Sequence, residues 1–190
     1  MSATVVDPRA IVLVEGNSDR VALLTLAARL GRTLPAEGVA ILAMGGVTNT
    51  RTFALRYGPA GLGLPLAGLY DAAEEDKVRR GLAAAGFTAA LDPGGPAGLG
   101  FYGCRPDLEG ELIGALGIPA VEAVIQAAGE GPSLRRLSGM PAQRDWTRQA
   151  VLRRFFGSRS GRKERYAALL VAALEPDRAP EPMLAVLRRV

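Results

Sequence analysis

The segment that most constrains the fold of this chain is IVLVEGNSD, at residues 11–19. Its first four residues form an apolar run, which is typical of a strand buried on both faces of a parallel sheet. Glu15 follows at the carboxyl end of that strand, and the glycine after it permits a sharp turn. Asn17 or Ser18 can then cap a helix over residues 19–30.

Glu15 and Asp19 therefore flank one tight corner between a strand and a helix. In open α/β sheets, ligands bind in the crevice beyond the carboxyl ends of the strands. Two carboxylates at such a corner provide the oxygen ligands that a hard cation such as Mg²⁺ prefers. The alternative is an ordinary strand, loop and helix whose acidic side chains face water.

Strand-like segments alternate with helical patterns over about the first two thirds of the chain, which predicts an α/β fold. The predicted strands cover residues 10–14, 39–44, 64–70 and 99–103. The predicted helices cover residues 19–30, 48–57, 74–85, 107–116, 119–128, 142–156, 163–174 and 182–190, with loops at 92–96 and 131–141. We expect a mostly parallel four-stranded sheet flanked by helices, in a domain at 8–118, and a helical C-terminal extension packed on it at 119–190.

The composition excludes several kinds of site. The chain has 190 residues and no histidine, which excludes Ser-His-Asp and Cys-His catalysis and histidine-ligated metals. Cys104 is the only cysteine, so an internal disulfide is excluded as well. A metal would need carboxylate ligands. Because no signal peptide or membrane-spanning segment is recognisable, we expect a soluble cytoplasmic protein that makes no membrane contact.

The charge distribution permits nucleic-acid binding without requiring it. The net charge is +4 and the isoelectric point is about 9.7. Arginine supplies nearly all of the positive charge, and the only lysines are Lys77 and Lys163. The last third of the chain is rich in arginine and carries few acids. The candidates for nucleic-acid contacts there are Arg153, Arg154, Arg159 and Arg162.

Two further acidic segments follow predicted strands. Asp71 closes the third strand and Glu74 lies three residues later, whereas Asp107 and Glu109 follow the fourth strand. If the first and third strands are neighbours, the carboxylates of Glu15 and Asp71 lie in one crevice. The alternative is that the acids after Asp71 and after the fourth strand only cap helices and favour their dipoles.

The order of these motifs resembles the TOPRIM domain of OLD-family nucleases: Glu-Gly-x-x-Asp, then Asp, then Asp-x-Glu, then a lysine that opens a helix. The resemblance covers nearly the whole chain. One departure concerns the second motif, which is normally Asp-x-Asp, because Ala73 replaces the second aspartate. Glu74 could reach the same metal through its longer side chain. The sequence contains no Walker motif and therefore nothing of the ATPase domain that precedes TOPRIM in OLD proteins.

The resemblance implies a nuclease that depends on Mg²⁺ or Mn²⁺ and acts on nucleic acid, with DNA favoured over RNA. One or two ions are implied. The implied ligands are Glu15, Asp19, Asp71, Glu74, Asp107 and Glu109. Glu15 and Lys163 are implied to be catalytic. Lys163 corresponds to a lysine that stabilises negative charge on the phosphate or positions the attacking water, and a plain surface lysine is the alternative.

Two other functions stay open at this stage. The missing aspartate at Ala73 fits a catalytically degenerate TOPRIM domain that binds nucleic acid or a separate ATPase without cutting. The length of the chain also fits a small TOPRIM ribonuclease that acts on structured RNA. Activity in the presence of metal separates an enzyme from a binding protein, and a comparison of DNA with RNA separates the two nucleases.

Overall fold

A computed structural model describes residues 7–190 of the chain. Four strands form one sheet: β1 (Ala10–Val14), β2 (Val39–Ala43), β3 (Leu66–Asp71) and β4 (Phe101–Cys104). Their order in the sheet is β2-β1-β3-β4, and every neighbouring pair is parallel. The predicted parallel four-stranded sheet is therefore confirmed, and each strand lies within two residues of its predicted bounds.

The helices of the described residues lie on both faces of this sheet, as expected. Their bounds are α1 Asn17–Arg29, α2 Thr50–Tyr57, α3 Glu75–Ala84, α4 Gly95–Gly98, α5 Leu108–Leu116, α6 Ile118–Ala127, α7 Gly131–Ser138, α8 Arg148–Phe156, α9 Arg162–Ala173 and α10 Glu181–Arg189. Helices α2 and α3 cover one face, and α1 with the helices from α5 onward covers the other.

Alternate residues of β1 divide the apolar core into two parts. Val12 and Val14 pack with α1 and the C-terminal helices, whereas Ile11 and Leu13 pack with α2 and α3. Every residue of this strand is buried, as the apolar run predicts for a strand covered on both faces. The strand that carries Glu15 is thus the centre of the fold, and its carboxyl end is held from both sides.

Helices α1 and α9 pack against each other over much of their lengths. Leu23 and Leu26 of α1 belong to the same core as Tyr166 and Leu170 of α9. Because the C-terminal helices share this core with the sheet, the predicted boundary at residue 118 stays a prediction. The shared packing places the first turn of α9 beside the carboxyl end of the sheet, where the acidic residues lie.

Two predicted loops contain helices. Residues 131–138 form α7, so the loop predicted at 131–141 is wrong over most of its length. Gly131 and Pro132 stand in the first turn of α7, where a proline costs nothing because its N–H has no helical partner, and Leu134 buries itself in the core. The loop predicted at 92–96 runs into α4, which has Pro96 in its first turn.

The start of α1 also differs from the expectation. Gly16, rather than Asn17 or Ser18, is the N-cap residue. Asp19 reaches back and accepts a hydrogen bond of 2.8 Å from the Gly16 N–H. One of the two predicted metal ligands at this corner therefore also closes the turn. Within residues 7–190, no helix combines the length and the apolar character needed to cross a bilayer.

Gly68 lies where β3 passes close to β4 and β1. A Cβ atom at this position would lie 2.3 Å from Phe101 Cδ1 and 2.9 Å from the Leu13 carbonyl oxygen. Because the phenyl ring and the strand would have to move, we expect Gly68→Ala to lower the free energy of unfolding by about 1–3 kcal/mol, measured by urea denaturation. Gly114→Ala on α5 is the control, since nothing lies within 4 Å of its added carbon. An unchanged urea midpoint for Gly68→Ala would show that the strands do not pack this closely.

Candidate functional site

The carboxyl edge of the sheet gathers the acidic residues. Val14 of β1 pairs with Leu69 of β3. Glu15 comes one residue after Val14 and Asp71 two residues after Leu69, so both lie at the carboxyl ends of adjacent parallel strands. Asp71 pairs in turn with Cys104 at the end of β4. The chain then turns into α5, whose first turn follows Asp107. The sequence analysis placed Glu15 and Asp71 in one crevice on the assumption that the first and third strands are neighbours, and the order of the strands confirms that assumption.

The pKa of Asp71 reflects how close the acidic residues lie to one another. Burial is the largest cause that raises its pKa to about 7, and the negative charges of Asp19, Glu15, Asp107 and Glu109 contribute to this rise in that order. These neighbours come from the corner between β1 and α1 and from the start of α5, and so from two separate parts of the chain. A carboxyl group that is partly protonated near neutral pH is ready to bind a cation, because the cation removes the repulsion that raises its pKa.

Asp19 and Glu15 are perturbed in the same direction. The pKa of Asp19 is raised to about 6, chiefly by burial and also by the charges of Glu109 and Glu15, against the opposing effects of the Gly16 N–H and Lys163. Burial and the charge of Glu74 raise the pKa of Glu15, while Lys163 opposes them. The oxygen Glu15 Oε2 is buried and accepts no hydrogen bond from the described residues. Such an oxygen needs a donor or a cation.

These residues fit a divalent cation in their chemistry but do not form a closed coordination shell. Within residues 7–190, no three Asp, Glu or Cys side chains are arranged to hold one ion directly. The donor set is all oxygen, as Mg²⁺ and Mn²⁺ prefer. The buried Glu15 oxygen without a donor and the raised pKa of Asp71 both favour an added positive charge. Small movements of the carboxylates would have to accompany binding.

Lys163 lies at the same site. Its Nζ is 3.3 Å from each carboxylate oxygen of Glu109. Partial burial lowers the pKa of Lys163, but Glu109, Asp71 and Asp107 outweigh it, so the pKa stands above its ordinary value. The ammonium group is therefore charged at neutral pH. Helix α9 supplies this cation to carboxylates that lie more than fifty residues earlier in the chain, since Glu109 is 54 positions away.

Asp107 is engaged within the protein. It caps α5 by accepting a 2.8 Å hydrogen bond from the Gly110 N–H, and its other oxygen pairs with Arg153. The capping role that the sequence offered as an alternative is thus present. Arg153, predicted to contact nucleic acid, is held by this ion pair. The pairing joins residues 46 positions apart, and no local pattern could have indicated it.

Glu74 and Ala73 differ from the arrangement of an Asp-x-Asp motif. Glu74 Oε2 lies 2.5 Å from Lys77 Nζ, an ion pair within one helical turn that the sequence analysis missed. Glu74 still raises the pKa of Glu15, so its charge reaches the edge of the cluster. Ala73 is exposed and offers no side-chain ligand. Of the six predicted metal ligands, Glu74 is thus the one engaged by a lysine of its own helix.

The four arginines predicted to contact nucleic acid fall into two groups. Arg154 and Arg159 are exposed, and Arg153 is partly exposed beside Asp107. Arg162 is only 5% exposed. It donates to the Phe155 carbonyl oxygen, to Ser158 and to Glu130. The contact of Arg162 with nucleic acid stays a prediction, and the structure shows that its guanidinium already has these three partners.

The order of the strands and the flanking helices are those of a TOPRIM-like α/β fold. Residues 9–72 match the family model described as overcoming lysogenization defect protein-like, TOPRIM domain. The matched stretch includes Glu15, Asp19 and Asp71. A search of curated protein sequences found no significant match.

Solved structures of OLD proteins have the same fold over nearly the whole chain. The C-terminal region of the Xanthomonas campestris pv. campestris OLD protein is 23% identical, with a TM-score of 0.70 over 96% of this chain and 92% of that one. The C-terminal region of the Burkholderia pseudomallei OLD protein is 22% identical, with a TM-score of 0.71 over 95% and 96%. The likeness extends through the helices after the sheet, and at these identities it concerns the fold alone.

The raised pKa of Asp71 predicts how stability depends on pH. Between its ordinary value of 3.8 and about 7, the folded protein binds the proton more tightly than the unfolded chain. The free energy of unfolding should therefore fall as the pH rises through this window. Asp71→Asn cannot ionise, so it should melt higher than the wild type at about pH 8, by about 2–4 °C if the gain is about 1 kcal/mol.

The measurement is thermal unfolding in EDTA at about pH 5 and about pH 8, compared with Asp145→Asn as a control. Asp145 is exposed and belongs to none of the ion pairs of the described residues. If the Tm of Asp71→Asn depends on pH in the same way as that of the wild type and of Asp145→Asn, repulsion among the carboxylates at this edge does not destabilise the fold.

Proposed function

We propose that this chain hydrolyses phosphodiester bonds of nucleic acid in a reaction that depends on Mg²⁺ or Mn²⁺. The observation that carries the proposal is the meeting of carboxylates from β1, α1, β3 and α5 with one lysine from α9 at the carboxyl edge of the sheet. The nuclease activity of the OLD family, which the sequence resembles, supports it. DNA is the preferred substrate in this proposal, and a separate ATPase is a possible partner.

We assign the carboxylates to two groups, each of which would hold one metal ion. Glu15, Asp19 and Asp71 lie on the stretch that matches the TOPRIM model and would hold the first, since burial and the charges of neighbouring carboxylates raise the pKa of all three. Asp107 and Glu109 lie at the start of α5 and would serve a second, with Glu74 at the edge. Bound ions would supply an activated water and neutralise charge on the phosphate.

Lys163 keeps its positive charge next to these ligands. Its contact with Glu109 is long, at 3.3 Å, and its side chain is 49% exposed. An ammonium group in this position can turn from Glu109 to a phosphate oxygen when a cation compensates Glu109, whose side chain is only 11% exposed and needs a counter-charge. We assign it the role of stabilising the negative charge that develops on the phosphate.

Glu15 provides the first test of the metal site. Glu15→Gln keeps the size of the side chain and removes its charge, so we expect cleavage of plasmid DNA with Mg²⁺ or Mn²⁺ to fall by about 100-fold or more. Glu175→Gln is the control, since Glu175 is exposed and lies outside the cluster. Mg²⁺ should also raise the Tm of the wild type more than that of Glu15→Gln. Full activity in a folded Glu15→Gln protein would contradict the assignment of this ligand.

Lys163 provides an independent test. Lys163→Ala should lower the single-turnover rate more than substrate affinity, because the charge acts on the transition state. Lys163→Arg should restore little, since a guanidinium replaces a compact ammonium with a planar fork. Arg154→Ala is the comparison: Arg154 is exposed, and its loss should weaken binding with a shallower dependence on salt. If Lys163→Ala only weakens binding, the lysine belongs to the basic surface.

A second function is favoured by one observation. Ala73 stands where the second motif has an aspartate, and Glu74, the nearest substitute, is paired with Lys77. A domain without this ligand can bind nucleic acid or an ATPase and not cut. A wild-type protein that binds DNA but cleaves neither DNA nor structured RNA with either metal would establish this function. Cleavage of RNA alone would instead establish the ribonuclease.

A further inference from the structure

A basic cavity lies beside the first turn of α9. Its volume is about 580 Å³, and the residues around it come from α7 and the turn before it, from the loop before α9 and from the start of α9. The charged residues that line it are Glu130, Arg136, Arg159, Arg162 and Arg165, and Ser133 and Ser160 add hydroxyl groups. Four cations face one anion, so the cavity is suited to a negatively charged group.

The single acid of the cavity is already engaged. Glu130 pairs with Arg162 through one oxygen and lies 2.7 Å from Arg165 through the other, which also accepts from the Tyr166 hydroxyl. Arg136 and Arg159 are exposed, and neither forms an ion pair or a side-chain hydrogen bond within residues 7–190. Two guanidinium groups therefore border the cavity with their donors free for a ligand.

Arg162 forms a fixed wall of this cavity. Its Nη1 donates to Ser158 Oγ at 2.6 Å and to the Phe155 carbonyl oxygen at 3.2 Å. Its guanidinium carbon lies 4.1 Å from the centre of the Phe155 ring, in a cation–π contact. A buried guanidinium that is held on several sides has lost its freedom before any ligand arrives, which lowers the entropic cost of binding beside it.

The backbone favours an anion at the same place. Helices α7 and α9 both begin at the cavity, and neither has a side-chain cap. Residues of both first turns line the cavity, so the positive ends of both helix dipoles lie at its wall. Gly161 enters α9 with a φ of +72°, a conformation that glycine adopts without strain. This turn brings Ser160 and Arg162 to the cavity on either side of the helix start.

The cavity and the carboxylate site share one helical turn. Arg162 and Lys163 are consecutive, yet Arg162 pairs with Glu130 of the cavity and Lys163 with Glu109 of the carboxylate site. Neighbouring Cα atoms are about 3.8 Å apart, so adjacent backbone positions carry one residue of each site. On this basis we expect a nucleic-acid strand that contacts Lys163 through one phosphate to reach the cavity through another phosphate of the same strand.

We infer that this cavity binds a phosphate group of the nucleic-acid substrate, on the same strand as the bond that is cut. The planar donor forks of Arg136 and Arg159 match phosphate oxygens in pairs. The inference rests on the proposed function for the identity of the ligand as nucleic acid. The cavity volume exceeds that of a phosphate alone and also admits part of its nucleotide.

The test compares two double variants that each remove two positive charges. Arg136→Ala with Arg159→Ala empties the cavity of its free guanidinium groups. Arg56→Ala with Arg80→Ala removes two exposed arginines from α2 and α3, on the opposite face of the sheet. Binding of a fluorescent single-stranded DNA is measured by anisotropy in EDTA, which prevents cleavage, at several salt concentrations. Circular dichroism verifies that both variants fold.

We expect the cavity variant to bind DNA about tenfold more weakly or worse, with a slope of log K against log salt that is shallower by about 1. The control variant should change affinity by less than about twofold. Equal losses in the two variants would overturn the inference, because the effect would then be that of net charge alone. Unchanged affinity in the cavity variant would overturn it as well.

Inorganic phosphate separates the two sources of the ligand. If the cavity serves the nucleic acid, millimolar phosphate should compete with DNA in the wild type and much less in the cavity variant. If phosphate raises the Tm of the wild type alone while DNA affinity is the same in both proteins, the cavity is a site for a free anion and the inference is wrong. Loss of DNA affinity in the cavity variant of a protein that never cuts would support the cavity and refute the nuclease.

Discussion

Mutual repulsion among half-buried carboxylates is the physical constraint on which the rest of this structure depends. A parallel sheet with β1 beside β3 brings the ends of both strands to one edge, and the acids that follow them cannot separate. Burial and neighbouring charges raise the pKa of Asp71 to about 7, which means that ionisation costs stability. The apolar core on both faces of β1 offsets this cost. A site that opposes folding in this way is typical of residues retained for function.

The helices after the sheet position Lys163 at the carboxylate site. Phe155, Phe156 and Tyr166 form an aromatic cluster between α8 and α9, with ring centres 5.0–5.9 Å apart. All three are buried in the core that also holds α1. This packing fixes the start of α9, and so it fixes where Lys163 meets Glu109. The likeness to C-terminal regions of OLD proteins includes these helices, which fits a fold in which sheet and helices share one core.

Local patterns in the sequence predicted the sheet and the acids at its edge. The apolar run before Glu15 and the strand that ends at Asp71 are signals of a few residues each, and both strands were placed correctly. The pairing of Arg153 with Asp107 and that of Arg162 with Glu130 could not be predicted, because each joins distant segments that only the packing of helices brings together. For the same reason, the sequence could not indicate that Arg162 is buried. Helix α7 was missed because a glycine and a proline stand in its first turn, where they interrupt a pattern but not a helix.

The first turn of α9 shows how two adjacent cations acquire different roles from their partners. Lys163 contacts Glu109, itself a candidate ligand, so a bound divalent ion would compete for that carboxylate and release the ammonium toward the phosphate. Arg162 contacts Glu130, which lies apart from the carboxylate site, so its ion pair would persist whether or not an ion is bound. A buried pair of that kind is costly to break, whereas a half-exposed one is not. The start of α9 can therefore supply a movable positive charge, Lys163, to the carboxylate site and a fixed one, Arg162, to the cavity.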